Sequence, residues 1–313
     1  MKILVTGASG FAGRYLVEVL AKTPENTVYA TTQDRKSADS KNLEWQECDL
    51  LDGKAVGRLI NSVKPEQIYH LAAYSSPGES FKEPLKAVID TATIQINLFE
   101  ACILAGITSR VLLVSSGQIY GKNNKLPLDE KSTVDCSSPY AVAKLCQENL
   151  AGYYTKRGFQ IVVTRPFNHI GPRQQLGFLV SDLAHQIALA EGIGGQPIVK
   201  VGNLSSKRDF TDVRDVVLAY VGLMQRGVAG EVYNICSGES VSGQKILDIL
   251  VSVAKRKISV VVDQDRMRPS DIADLYGNHS KLTEATGWQP QIKLKQTLQE
   301  TLEYWRTEVS KSS

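Results

Sequence analysis

A glycine-rich turn near the N-terminus constrains the fold of this chain more than any other feature. Residues 6–13 read TGASGFAG and follow the apolar run at residues 3–5. This order predicts a buried strand, a tight turn at Gly7 and a helix that begins near Phe11. A strand that enters a helix through such a turn is typical of the first unit of a parallel α/β sheet.

The three glycines of this turn fit a dinucleotide site. Gly7 permits the tight turn, Gly10 lets a pyrophosphate approach the backbone, and Gly13 lets the helix pack closely on the strand. The free N–H groups at the start of the helix would then face the phosphates. The spacing is one residue longer at the first gap than the commonest fingerprint, and an ordinary glycine-rich turn is the alternative. Its place directly after an N-terminal strand favours the dinucleotide site.

A second motif near the middle of the chain predicts proton transfer. Residues 140–144 read YAVAK, so that Lys144 lies one helical turn after Tyr140 on the same face. A free tyrosine has a pKa near ~10, and we expect the lysine charge to lower it. Ser116 follows a predicted strand and can hydrogen-bond a substrate carbonyl. The alternative is a helix surface with a cation beside an aromatic ring.

Composition excludes several classes of partner. Hydrophobic content of 42% and charged content of 22% are ordinary for a globular protein, and a net charge of +3 gives no case for nucleic acid. No stretch approaches the ~20 apolar residues of a membrane helix, and the N-terminal run is too short for a signal peptide. The five cysteines are scattered and odd in number, so we expect reduced thiols in a cytoplasmic protein. The four histidines lack ligand spacing, and we expect no metal site.

Strand-like and helix-like segments alternate through the first half of the chain. Strands are predicted at 2–6, 27–32, 44–47, 67–71, 110–115 and 160–165, and helices at 11–22, 53–63, 82–106 and 139–157. This alternation predicts an α/β fold, namely a Rossmann-type doubly wound parallel sheet over residues 1–165. Residues 166–313 should form a smaller, partly interleaved α/β domain that binds the substrate. Since ligands bind at the carboxyl ends of such strands, residues after them should converge on one crevice, namely Thr6, Ala72, Ala73, Ser115, Ser116 and Asn168.

These motifs together resemble the extended short-chain dehydrogenase/reductase superfamily. The first half contributes TGASGFAG, HLAA at 70–73, SS at 115–116 and YAVAK. The second half is more specific, with FNHIGP at 167–172, KVGNL at 200–204, RDFTDVRD at 208–215, RPSD at 268–271 and GWQP at 287–290. These segments resemble the GDP-mannose branch, in particular the reductases of GDP-4-keto-6-deoxy-mannose.

The resemblance implies an activity and a set of site residues. The activity is NADPH-dependent reduction of the C4 carbonyl of GDP-4-keto-6-deoxy-D-mannose to GDP-D-rhamnose. The implied catalytic residues are Ser116, Tyr140 and Lys144. The implied cofactor contacts are Gly7, Gly10, Phe11, Ala12, Gly13, Arg14, Arg35, Asp49, Leu50, Leu71, Ala72, Ala73, Tyr140 and Lys144. The implied substrate contacts are Ser116, Asn168, Leu179, Lys200, Arg208, Arg268 and Asp271.

Four of the substrate residues have more definite implied roles. Asn168 and Arg208 match residues that contact the nucleotide diphosphate, for which a guanidinium fork is well suited. Arg268 and Asp271 match the pair that holds the nucleotide-sugar end, although most relatives carry glutamate at the second position. The alternative for Arg208 is a structural ion pair with a neighbouring aspartate.

Gln118 bears on the type of reaction. The similar dehydratases carry at this position a glutamate that removes the C5 proton. An amide has no proton that titrates at useful pH, so Gln118 disfavours elimination of water and favours simple carbonyl reduction. Reduction to GDP-6-deoxy-D-talose, a GDP-mannose 4,6-dehydratase, a nucleotide-sugar 4-epimerase and a non-catalytic NADPH-binding regulator remain as alternatives.

Charge near the second strand favours NADP as cofactor. An NAD enzyme places a carboxylate at this strand end, whereas the matching residue here is the neutral Thr32. Arg14, Arg35 and Lys36 supply positive charge for a 2′-phosphate. Asp34 keeps the use of NAD possible.

The helices predicted at 82–106 and 139–157 are expected to form a homodimer. Relatives in the superfamily commonly pair through these two helices. The first helix is also more apolar than burial of one face requires, with Ala87, Ile89, Ile94, Ile96 and Phe99.

Overall fold

The computed structural model describes residues 1–33, 40–122, 125–192, 197–266 and 272–312. Its first strand, Lys2–Thr6, enters a helix at Phe11–Leu20 through the glycine-rich turn, as predicted. Gly7 in this turn has φ +69°, a left-handed conformation that glycine adopts without strain. The predicted opening βα unit is thereby confirmed.

The larger sheet has seven strands in the described residues, and every neighbouring pair is parallel. Its strands are β1 (Lys2–Thr6), β2 (Thr27–Thr32), β3 (Leu43–Glu47), β4 (Gln67–His70), β5 (Arg110–Val114), β6 (Gln160–Pro166) and β10 (Val232–Ile235). Their order is β10-β6-β5-β4-β1-β2-β3. The order reverses between β1 and β4, which is the switch point of a doubly wound fold. The predicted Rossmann-type α/β fold is confirmed.

Helices cover both faces of this sheet. In the part of the chain that the structure describes, the helices are α1 (Phe11–Leu20), α2 (Gly53–Val63), α3 (Pro77–Ser80), α4 (Pro84–Leu104), α5 (Pro139–Lys156), α6 (Leu179–Glu191), α7 (Val213–Arg226), α8 (Gly243–Ser252), α9 (Ser280–Thr286) and α10 (Leu294–Ser312). Successive residues of a strand point to opposite faces. Accordingly Ile3 and Val5 pack with α1 and α7, whereas Leu4 packs with α2 and α4.

The second half of the chain adds two small sheets. Their strands are β7 (Asn168–Ile170), β8 (Ile198–Val201), β9 (Lys207–Asp212), β11 (Ser240–Ser242), β12 (Ser259–Val262) and β13 (Asp274–Leu275). One sheet has the order β11-β9-β13 with β7 also paired to β9, and the other joins β12 to β8. Helices α6, α8 and α10 enclose a separate core that includes Ile187, Leu250 and Leu302.

Both halves of the chain contribute to the large sheet and its cover. Strand β10 pairs with β6 at its edge, and α7 packs on α1. The division at residue 165 stays a prediction. The five cysteines are free thiols.

The helix predicted at 82–106 is shorter in the structure. The observed helix α4 begins at Pro84, where a proline suits the first helical turn, and the short α3 precedes it. By length and composition α4 could cross a membrane, a property that the sequence prediction missed. Leu98, Phe99 and Cys102 are fully buried in the core against the large sheet. A core helix of this kind passes the same test, so α4 is weak evidence for a membrane span.

Candidate active site

A crevice lies at the carboxyl ends of the central strands and has a volume of about 360 Å³. Residues after β1, β4, β5 and β6 line it, among them Gly7, Ala73, Ser116 and Asn168. The predicted convergence of strand ends therefore occurs, and the dinucleotide and proton-transfer motifs share one crevice.

The glycine-rich turn forms a backbone surface with no room for side chains. A Cβ atom on Gly7 would lie 2.8 Å from the backbone nitrogen of Ala72, and one on Gly13 would collide with the carbonyl oxygen of Gly7. The Arg14 N–H makes the first backbone hydrogen bond of α1, to the Gly10 carbonyl at 3.1 Å. The preceding N–H groups of the helix start are outside that ladder, as an anion site requires.

Ser116 and Tyr140 come together from two elements. Ser116 caps the single turn Gly117–Ile119, and its Oγ accepts the Gln118 N–H at 3.2 Å. Tyr140 lies in the first turn of α5, which Ser138 caps by accepting the Ala141 N–H at 3.1 Å. The Ser116 hydroxyl lowers the pKa of Tyr140 against the larger effect of burial, which places the two side chains near each other. A hydroxyl pair beside the turn at the end of β5 can address one carbonyl oxygen.

Lys144 is buried behind this pair, with 4% of its surface exposed. Its ammonium donates to the Val114 carbonyl at 2.9 Å and to Gln147 Oε1 at 3.0 Å, and its Nζ lies 5.9 Å from the Tyr140 ring centroid. Burial lowers the pKa of Lys144 to about 7, against the opposing effect of the Glu148 carboxylate. The lysine therefore changes charge near neutral pH.

The pKa of Tyr140 differs from the expectation. Burial raises it above its ordinary value, and the hydrogen bond with Ser116 offsets only part of that rise. The predicted net lowering of this pKa is therefore wrong, because desolvation of the phenolate outweighs the effects that favour the charged form. Tyr140 is therefore protonated at neutral pH, as a proton donor must be.

Three predicted substrate residues line the same crevice. Asn168 lies on β7 and donates through Nδ2 to the Asp209 carbonyl at 3.1 Å, while the half-exposed Leu179 begins α6. Arg208 lies half-buried on β9, where burial lowers the pKa of its guanidinium and Asp274 opposes the shift. All three residues therefore share the crevice with the glycine-rich turn.

The aspartates that follow Arg208 in sequence have other partners. Asp212 pairs with Arg214 at 2.7 Å, and Asp215 accepts the N–H groups of Gln291 and Ile292. Asp209 accepts from the backbone and hydroxyl of Ser237 and from the N–H groups of Gly238 and Gly277. The structural ion pair considered for Arg208 is not formed with any of these three described carboxylates.

Several predicted cofactor residues lie outside the crevice lining. Arg14 is exposed and donates through Nε to the Ser9 carbonyl at 2.9 Å. Asp49 is also exposed and accepts the Leu51 N–H, whereas Leu50 is buried in the core. The backbone of Ala72 lies next to Gly7 of the turn.

Among the predicted substrate residues, Lys200 is not brought into the crevice. Its side chain is 60% exposed on β8, with Nζ 4.0 Å from Asp263. Arg35, Arg268 and Asp271, together with Asp34 and Lys36, lie outside the described residues.

The structure adds lining residues that the sequence did not indicate. Tyr74 and Ser75 extend the segment after β4, so strand-end reasoning could have included them, whereas Tyr220 on α7 carries no sequence signal. The hydroxyls of Tyr220 and Ser115 are buried, and neither has a hydrogen-bond partner among the described residues. Buried polar atoms without partners in a crevice lining are expected where a polar ligand binds. With the glycine-rich turn, they fit a dinucleotide that extends from α1 to Tyr140.

Fold and site together define a Rossmann-type protein whose crevice brings Ser116, Tyr140 and Lys144 together. A family model described as GDP-mannose 4,6 dehydratase matches residues 4–301, and the chain belongs to that family. The chain is therefore an oxidoreductase-type enzyme of the nucleotide-sugar class, as predicted.

Individual relatives agree with this assignment. A GDP-6-deoxy-D-mannose reductase from Pseudomonas aeruginosa is 33% identical over 312 residues, which cover 98% of each chain. A GDP-6-deoxy-D-talose 4-dehydrogenase from Aggregatibacter actinomycetemcomitans is 28% identical over 92% of each chain. The solved structure of RMD from Pseudomonas aeruginosa complexed with NADPH superposes with a TM-score of 0.86 at 31% identity and covers 98% of this chain and 100% of its own.

Proposed function

We propose that this protein uses NADPH to reduce the C4 carbonyl of GDP-4-keto-6-deoxy-D-mannose and so forms GDP-D-rhamnose. The observation that carries the proposal is the crevice composition. A protonated Tyr140, Ser116 and Lys144 meet there beside the amide of Gln118. The 33% identity to a GDP-6-deoxy-D-mannose reductase supports the same substrate class.

The residues of this chain supply binding and a proton. When bound, NADPH supplies the hydride for C4. Ser116 hydrogen-bonds the carbonyl oxygen, and Tyr140 gives its proton to that oxygen as negative charge develops on it. The product is a C4 hydroxyl, and Tyr140 is left as a phenolate that the Ser116 hydroxyl and the Lys144 ammonium stabilise.

Gln118 separates reduction from dehydration in this proposal. It lines the crevice beside Ser116, and its backbone N–H is bound to Ser116 Oγ. Its amide can hydrogen-bond a sugar hydroxyl but cannot remove the C5 proton. The site therefore supports hydride transfer to the C4 carbonyl without loss of water from the sugar.

The other proposed contacts are to the nucleotide part of the substrate. Arg208 and Asn168 would bind the diphosphate and Leu179 would pack on the base, and their place in the crevice lining supports these roles. The neutral Thr32 at the end of β2 favours NADPH over NADH, as NAD sites use a carboxylate there. Association of two copies and a cytoplasmic location are part of the proposal.

A second candidate product is GDP-6-deoxy-D-talose. The relative from Aggregatibacter actinomycetemcomitans, named for that sugar, favours this candidate. Both products arise from the same ketone with the same catalytic residues, and they differ only in the face of C4 that receives the hydride.

Incubation of the purified protein with GDP-4-keto-6-deoxy-D-mannose and NADPH tests the proposal. We expect NADPH consumption and a product that NMR identifies as GDP-D-rhamnose, while the talo product would establish the second candidate. The same protein given GDP-mannose and NADP should release no keto sugar. Robust dehydration in that second assay, or absence of NADPH consumption in the first, would overturn the proposed reaction.

A further inference from the structure

The amine of Lys144 donates hydrogen bonds to two acceptors. One is the Val114 carbonyl at the end of β5, at 2.9 Å, and the other is Gln147 Oε1, at 3.0 Å. A lysine ammonium has three N–H groups, so one remains for a ligand or for Tyr140. The position of the Lys144 amine therefore depends on a backbone atom, which no substitution removes, and on one side chain.

Gln147 lies three residues after Lys144 on the same face of α5 and is fully buried. Its Oε1 accepts from Lys144, but its Nε2 has no hydrogen-bond partner among the described residues. An apolar side chain of similar size would fill this part of the α4–α5 interface without the cost of an unpaired buried donor. The contact with Lys144 is the interaction that an amide provides there and that an apolar residue cannot.

Gln95 on α4 is a matched contrast within the same interface. It is also fully buried, and its Oε1 has no partner in the described part of the chain. Its Nε2 donates to the backbone carbonyl of Gln147 at 3.0 Å, so it joins α4 to α5. No hydrogen bond between Gln95 and Lys144 is found among the described residues.

We infer that Gln147 is a positioning residue for Lys144, whose amide oxygen holds the amine beside Tyr140 and favours the ammonium over the neutral amine. The inference rests on the proposed reduction, in which the Lys144 ammonium stabilises the Tyr140 phenolate and, as the family resemblance implies, contacts the cofactor. It adds to that reaction a residue outside the serine–tyrosine–lysine set.

The charged and titratable groups around Lys144 do not by themselves fix its protonation state. Glu148 on α5 is bound by Arg165 through two hydrogen bonds of 2.9 and 2.7 Å. His70 on β4 is neutral, because burial and the nearby lysine lower its pKa to about 3. Tyr140 is neutral below its raised pKa. Since burial brings the pKa of Lys144 to about 7, ammonium and amine coexist at neutral pH, and one acceptor shifts the balance.

The sign of the pH effect follows from this balance. The active ammonium form is lost as pH rises through the pKa of Lys144. Gln147→Glu keeps the acceptor oxygen and adds a negative charge, so the loss should occur at higher pH, by about one to three units. Gln147→Met removes the acceptor, so the loss should occur at lower pH.

The test compares wild type, Gln147→Glu, Gln147→Met and Gln95→Met. For each protein, the affinity for NADPH is measured by titration across pH, and kcat/KM for the keto sugar is measured over the same range. In these pH profiles, the alkaline limb is the range in which NADPH affinity and kcat/KM fall as pH rises. We expect this limb to move to higher pH in Gln147→Glu and to lower pH in Gln147→Met. Gln95→Met should lower the unfolding temperature and leave the limb in place.

Coincident alkaline limbs in all four proteins would overturn the inference, as would an equal displacement in Gln95→Met. If Gln147→Met does not fold, the Gln147→Glu limb decides alone, since an upward shift supports the inference and no shift overturns it. A wild type that binds NADPH without reducing the keto sugar refutes the proposed function. The binding profiles still decide the role of Gln147 in that case.

Discussion

Tyr140 combines a protonated hydroxyl with a fixed ring. Its ring lines the crevice beside Ser116, so removal of the hydroxyl oxygen leaves the packing of the ring in place. We predict that Tyr140→Phe binds NADPH with near-normal affinity and loses turnover by roughly 10²–10⁴-fold. Fluorescence titration and a steady-state assay check the two halves. Turnover close to that of wild type would refute the catalytic assignment.

Gly13 is a second residue at which one atom decides binding. A Cβ there would collide with the Gly7 carbonyl, so Gly13→Ala must displace the turn or the start of α1. We predict loss of NADPH binding together with a lower free energy of unfolding. Gly57 on α2 is the control, because a Cβ there meets nothing within 4 Å. Gly57→Ala should stabilise the protein by roughly 0.5–1 kcal/mol. An NADPH affinity that is unchanged in Gly13→Ala would contradict the role of the glycine-rich turn in NADPH binding.

Sequence patterns predicted the residues that act through type and spacing and missed those that act through burial. The glycine-rich turn, Ser116, Tyr140 and Lys144 share the crevice, as their motifs indicated. The raised pKa of Tyr140 comes from desolvation, which depends on the packed surroundings and not on the lysine four residues away. For the same reason the buried hydroxyl of Tyr220 could not be assigned to the crevice from its place in an apolar helix.

At the element scale, α5 carries both Tyr140 and Lys144, and its start depends on Ser138. The Ser138 hydroxyl accepts the Ala141 N–H at 3.1 Å and satisfies one of the free donors of the first turn. We predict that Ser138→Ala lowers the free energy of unfolding by about 1 kcal/mol, measured by urea denaturation. Ser138→Asp should restore most of that loss, since a carboxylate caps equally well. Equal losses in both variants would show that the cap is not the cause.

Elements of the first half were predictable because their hydrophobic residues recur with a regular period and because glycine, proline or polar residues mark their ends. Helix α2 and strands β1 and β2 have the predicted bounds. The six strands of the two small sheets have only two to six residues each and no regular alternation, so the sequence did not predict them. These strands form because they pair with segments that are distant in sequence, and β13 with β9 is an example. The local sequence does not encode such pairing.

At the scale of the whole molecule, α4 and α5 leave an apolar outer surface. Leu85, Ile89 and Ile96 on α4 are 75%, 52% and 38% exposed, although they are large apolar side chains. On α5 a shallow groove is lined by Val142, Leu145, Cys146, Asn149 and Leu150. Ala87 and Phe99, expected to share this surface, are instead buried in the core. An apolar surface on two adjacent helices is the kind of surface that a second copy of the chain can cover.

We therefore predict a homodimer in which α4 and α5 of two copies pack together. Light scattering at micromolar concentration should give twice the 34.3 kDa mass of one chain. Ile89→Asp would bury a carboxylate in the interface and should shift the protein to monomer. Leu218→Asp is the control, because Leu218 is equally exposed at 49% but lies on α7, on the opposite face of the large sheet. A wild-type monomer, or equal dissociation by both variants, would refute this interface. Because α5 carries Tyr140 and Lys144, the monomeric Ile89→Asp protein should also unfold at lower temperature and have lower activity than the wild-type dimer.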